Sequence, residues 1–278
     1  MDASDLLAEL VQQTGELVNQ AAHPQRRTLR VSPEVAAFYS AAFEYPEAGP
    51  IAEAPAAATE ETPSYHTAPE PGDVSRIETL EELERVVSAC TKCDLCKTRT
   101  RTVFSDGSAC ARLVFVGEAP GADEDRQGKP FVGRAGQLLT DIIVKGMKLR
   151  REDVYICNVL KCRPPNNRDP LLSEKEQCRP YLDRQLELLK PKVICALGRH
   201  AANTLLCNDE STGRLRGRWH FYRGIPVRVT YHPAYLLRNE ADKRLAWDDV
   251  QHVMRALSGE EDPFAQPPAP GEGSGLFS

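Results

Sequence analysis

Nowhere in the 278 residues does an apolar run approach the ~20 residues that a membrane-spanning helix needs. The opening stretch, MDASDLLAELVQQTGELV, carries acids where a secretory signal would carry basic residues and then an apolar segment. Residues 44–75 contain no lysine or arginine at all. The cysteine count is nine, an odd number, so complete intramolecular pairing is impossible. In a reducing compartment, metal ligation or plain burial explains such cysteines better than disulfides. The expectation is a soluble, cytoplasmic and monomeric protein, nucleoid-associated if bacterial.

Charge is segregated along the chain. The net −5 divides into −2 over residues 1–43, −7 over 44–75 and −4 over 257–278, leaving +8 on 76–256. A basic core between acidic flanks suits a polyanionic partner, although charge alone fixes no chemistry. Four segments follow: an N-terminal extension at 1–43, an acidic linker at 44–75, a folded domain at 76–257 and a tail at 258–278. In the first, Leu6, Leu7, Leu10, Val11, Leu17 and Val18 recur at helical spacing, a candidate docking helix for a protein partner. The linker, with six prolines, cannot bury enough apolar surface to fold, and the tail reads as disordered too.

Within the basic core, short apolar strands are expected at 112–117, 154–160, 193–197 and 226–231. Helices are expected at 78–88, 134–147, 173–190, 198–206 and 241–257. Buried strands separated by helices predict an α/β fold: a three-layer α/β/α domain around a central, mainly parallel four-stranded sheet, preceded by a disordered extension. Ligands bind such sheets beyond the carboxyl ends of the strands. That rule gathers residues 117–121, 158–168 and 232–238 around one crevice.

Cys90 and Cys93 form a C-x2-C pair, a spacing that aims two sulfurs at one metal, and Cys162 and Cys178 supply two more. Four thiolates suit either a structural zinc or an iron–sulfur cluster. Cys96 and Cys110 compete as ligands, whereas Cys157 and Cys195 fall inside apolar strands as small buried hydrophobes. Spacing decides neither the metal nor the third ligand.

The glycine-rich turn Gly117-Glu118-Ala119-Pro120-Gly121 follows a strand but is neither G-x-G-x-x-G nor a Walker loop. The acids after it would repel a phosphate. Phe131, in Lys129-Pro130-Phe131-Val132-Gly133, is a core residue or a stacking platform for a planar ligand. Asn158, at a strand end, is a turn residue or an amide that pairs with one donor and one acceptor on a base edge. His232 is a satisfied loop histidine or a donor to a developing negative charge. After it, Leu236, Leu237 and Arg238 suit an apolar wedge and a phosphate contact.

These motifs, GEAPGADED…GKPFVGRAGQLL, VYICNVLKCRPPNNR and HPAYLLRN, resemble in content and order the family 4 uracil-DNA glycosylases, the iron–sulfur branch of the uracil-DNA glycosylase superfamily. The resemblance spans roughly 85–257. It implies excision of uracil from DNA to start base excision repair, and a [4Fe–4S] cluster on Cys90, Cys93, Cys162 and Cys178. It further implies that Phe131 stacks on the flipped base, Asn158 reads its edge, and residues 118–119 complete the pocket. His232 would bond to uracil O2, while the 232–238 loop would enter the minor groove. Ala119 stands where the best-known superfamily members have an aspartate before the proline. Glu118, one position earlier, is the candidate catalytic carboxylate, and no general base is assigned. No well-placed lysine suggests a lyase step, so a monofunctional enzyme is expected. A DNA-binding scaffold and a glycosylase for another deaminated base are the alternatives. The adduct-forming branch ranks low, because Gly128–Gly133 runs through without its basic insert.

Overall fold

The computed structural model describes residues 74–265; the expected N-terminal helix, residues 44–73 of the expected linker and residues 266–278 of the tail lie outside them. Three strands are buried along their whole length, β2 (Leu113–Gly117), β3 (Tyr155–Asn158) and β4 (Val193–Leu197). Burial on both faces is what a parallel sheet between helix layers demands, so their runs are continuously apolar rather than alternating. With β6 (Ile225–Thr230) they give the four mutually parallel strands expected. Two short antiparallel strands, β1 (Asp106–Gly107) and β5 (Trp219–Tyr222), extend the edges to six in the order β1-β3-β2-β4-β6-β5.

The helices are α1 (Leu80–Ser88), α2 (Ala122–Gln127), α3 (Arg134–Asp141), α4 (Leu172–Leu189), α5 (Arg199–Leu206), α6 (Thr212–Leu215), α7 (Pro233–Leu236) and α8 (Lys243–Ser258). Successive β2 residues point to opposite layers. Val114 and Val116 pack with Leu182 and Leu186 of α4 and with Ala201 and Leu205 of α5. Leu113 and Phe115 pack with Leu139 of α3 and with Val250 and Val253 of α8. Cys157 and Cys195 are 0% and 1% exposed in this core.

Register sets the position of the crevice. Gly117 pairs with Asn158, and Leu197 pairs with Thr230, so four strands end at one level. The chain leaves β2 into Glu118, β3 into the 159–168 loop and β6 into His232 on the same side of the sheet. Residues distant in sequence thereby share one rim.

Candidate active site and metal centre

The crevice beyond these strand ends is a cleft of about 440 Å³. Glu118, Ala119, Phe131, Asn158, His232 and Arg238 all line it. Leu236 does not: it is 1% exposed and part of the interior, whereas Leu237 is 41% exposed. Only Leu237 of the pair is therefore free to act as a wedge.

Phe131 is held in the left-handed region at φ 54°, unusual for a bulky residue. Two glycines make room for it. A Cβ on Gly136, inside α3, would stand 1.8 Å from the Phe131 carbonyl oxygen. A Cβ on Gly117 would stand 2.5 Å from Phe131 Cζ and 2.3 Å from Asn158 Oδ1. The Phe131 ring lies 5.7 Å from the His232 ring at 33°. Asn158 is 2% exposed, and its Oδ1 is buried without a hydrogen-bond partner.

His232 caps the short helix α7, its Nδ1 accepting the Ala234 N–H at 3.1 Å. Burial, helped by the charges of Arg238 and His200, pushes its pKa down to about 4. The imidazole is therefore neutral at physiological pH. Because Nδ1 is an acceptor, the single ring proton sits on Nε2. Glu118 faces the cleft with its carboxyl pushed above the usual range by burial, an effect that His200 opposes. His200 Nε2 lies 3.9 Å from Glu118 and 3.2 Å from Asp169.

Sequence reasoning passed over Glu124. The acids after the glycine turn looked like phosphate repellents, yet Glu124 Oε1 accepts the N–H groups of Val132 and Gly133, both at 2.9 Å. Its Oε2 accepts the N–H of Gly121 at 3.1 Å. One carboxylate thus ties the Glu118 turn to the loop carrying Phe131. The available signal was its place at the third position of a helix that follows a glycine cap.

Cys90, Cys93, Cys96, Cys162 and Cys178 border one small cavity between α1, the segment after it and α4. Cys110 and Cys207 are exposed elsewhere. Among the described residues, three metal-ligating atoms lie within 4.8 Å of one another only at Glu118, Asp169 and His200. No three cysteine sulfurs do so. A zinc ion with Zn–S bonds of about 2.3 Å requires sulfurs roughly 3.8 Å apart. The sulfurs are spaced more widely than a preformed zinc site would hold them. Two donors face the cage: the Arg99 guanidinium Nη1 donates to Cys162 Sγ at 3.1 Å, and the Lys161 backbone N–H donates to Cys178 Sγ at 3.3 Å. The residues present therefore fit an anionic iron–sulfur cluster.

The profile of the uracil DNA glycosylase superfamily matches residues 104–251. The chain is 44% identical over 191 residues to the type-4 uracil-DNA glycosylase of Saccharolobus solfataricus, covering 66% of this chain and 88% of that protein. It is 50% identical over 171 residues to the type-4 enzyme of Archaeoglobus fulgidus, with 58% and 84% covered. With that of Thermotoga maritima it shares 44% identity over 192 residues, 67% of this chain and 98% of the relative. No helix among the described residues is long and apolar enough to cross a membrane. The chain belongs to the uracil DNA glycosylase superfamily, within its type-4 branch.

Proposed function

We propose that this chain flips uracil out of DNA and hydrolyses its N-glycosidic bond, leaving an abasic site. The observation that carries this reading is the tautomer of His232. A neutral imidazole with its Nδ1 occupied holds its remaining proton on Nε2, beside an aromatic ring and an amide. As the bond between C1′ and N1 lengthens, negative charge gathers on uracil O2. A fixed donor there stabilises the leaving anion more than the ground state, which is the condition for acceleration.

The other roles follow from the same cleft. Phe131 stacks on the flipped base, and flipping costs a few kcal/mol, least for a weakly paired base. The unpartnered Oδ1 of Asn158 lacks a donor that the N3–H of uracil can supply, and its amide N–H can meet O4. Cytosine has no N3–H. Glu118, which lines the cleft, is the candidate carboxylate for orienting the attacking water. Leu237 fills the space of the flipped nucleotide, and Arg238 contacts phosphate. Cys90, Cys93, Cys162 and Cys178 would hold a [4Fe–4S] cluster, which would tie the segment after α1 to the loop after β3 and to α4.

The test is incubation of purified protein with uracil-containing single- and double-stranded oligonucleotides, scoring free uracil and abasic sites. His232→Ala should lose roughly 10²- to 10³-fold, the usual cost of one donor to a developing oxyanion. Full activity in the combined His232→Ala, Asn158→Ala variant would refute the site assignment.

A further inference from the structure

Lys161 is 1% exposed, and no carboxylate pairs with it among the described residues. Taking an ammonium out of water costs several kcal/mol unless charge and hydrogen bonds offset it. Its hydrogen bonds run in two directions. Nζ donates to the main-chain oxygen of Asn158 at 2.7 Å and to Gln185 Oε1. Gln185, itself 0% exposed, is locked by donating to Tyr155 Oη at 2.8 Å and to the Phe104 carbonyl at 3.3 Å. Its Oε1 therefore has one orientation, toward the ammonium.

Burial pushes the Lys161 pKa down, and the nearby sulfurs of Cys157, Cys178 and Cys162 oppose that effect. Cys157 is a strand residue of the core, but Cys162 and Cys178 border the cage. A cluster held by four thiolates is anionic, and groups around it tune its potential by charge and hydrogen bonding. The ammonium lies between that charge and the residue whose amide lines the cleft.

We propose that Lys161 is a positioning residue for uracil recognition: its buried Nζ, held by Gln185 beside the cysteine cage, clamps the Asn158 carbonyl and so fixes the base-reading amide. This rests on the cluster reading above and deepens it. With a cluster bound, the cage would do more than fasten segments together, because its charge would favour the cation that sets the end of β3. Asn158 is also constrained from its other side by the missing side chain of Gly117. The amide is thus held between a backbone with no room to spare and a charged clamp.

Two substitutions test this in the full chain, purified without oxygen. Lys161→Met keeps an unbranched side chain one atom shorter and removes its charge and donors. Gln185→Glu keeps the shape and gives the ammonium a competing carboxylate. Each is read by iron and sulfide content, the reduction potential of the cluster, uracil excision, and binding of DNA that already contains an abasic site. Both variants should show a lower potential, since positive charge beside the cluster is lost or neutralised. Excision should fall roughly 10- to 100-fold, the usual cost of losing an outer-shell partner, while abasic-site binding stays unchanged. A Lys161→Met chain that folds but holds no iron supports the charge pairing, and Gln185→Glu then decides the clamp. Iron-loaded variants with wild-type potential and excision overturn the proposal. A wild-type chain without iron and sulfide instead overturns the cluster reading, so the two failures are distinguishable.

Discussion

His232 couples the chemistry of the cleft to stability. Its pKa is lowered from 6.5 to about 4 in the folded chain. Between those values the unfolded chain binds the extra proton and the folded chain does not. The contribution of neutral His232 is therefore complete above pH 6.5 and is lost as pH falls toward 4, at most roughly 3 kcal/mol. His232→Gln should flatten this dependence, so that its Tm falls less than that of the wild type between pH 7.5 and 4.5 in a thermal melt. The same value leaves the ring neutral through ordinary assay conditions. An acid limb in kcat above the range where His232 protonates would then belong to Glu118, whose carboxyl burial raises, and should disappear in Glu118→Gln. An acid limb unchanged by that substitution would remove Glu118 from the chemistry.

At the scale of elements, the cleft depends on how α2 and the loops around it are fastened. Glu124 satisfies three backbone N–H groups from two segments. Glutamine in its place offers one acceptor oxygen and turns an N–H toward a donor. Glu124→Gln should cost about 1–3 kcal/mol, seen as a lower Tm, with excision falling further than stability because Phe131 loses its tether. Gly117→Ala should act more sharply on activity, since the added Cβ meets both Asn158 and Phe131. An alanine variant with wild-type excision would show that this close approach is not required. The four central strands and five main helices were legible because long apolar runs and helical spacing dominate them. The edge strands were not. β1 is two residues long, and the β5–β6 turn uses Arg223 and Gly224, both at positive φ, in place of the usual Asn-Gly. Glu118, Asn158 and His232 reach the crevice because each lies at or just past a strand end. Glu124 was passed over despite its third position after a glycine cap, and Lys161 was missed because hydrogen bonding to backbone is not displayed by a side-chain pattern.

Over the whole chain the outstanding feature is the separation of charge. Residues 76–256 carry +8, while 1–43 and 44–75 carry −2 and −7. DNA binding by the basic portion releases counterions, so affinity should fall at least roughly tenfold between 50 and 200 mM salt. The N-terminal residues 1–75 add a net nine negative charges (−2 and −7), which oppose a polyanionic partner most strongly where screening is weakest. Deleting residues 1–75 should therefore tighten binding to uracil-free duplex at 50 mM salt. The gain should shrink by 200 mM, where the Debye length is about 7 Å. Excision at saturating substrate should change little, because the cleft residues are retained. Fluorescence anisotropy across a salt series separates the outcomes. Equal affinities of the full and shortened chains at low salt would mean that the acidic flank does not act on DNA binding, and would leave a protein partner as the remaining role for that extension.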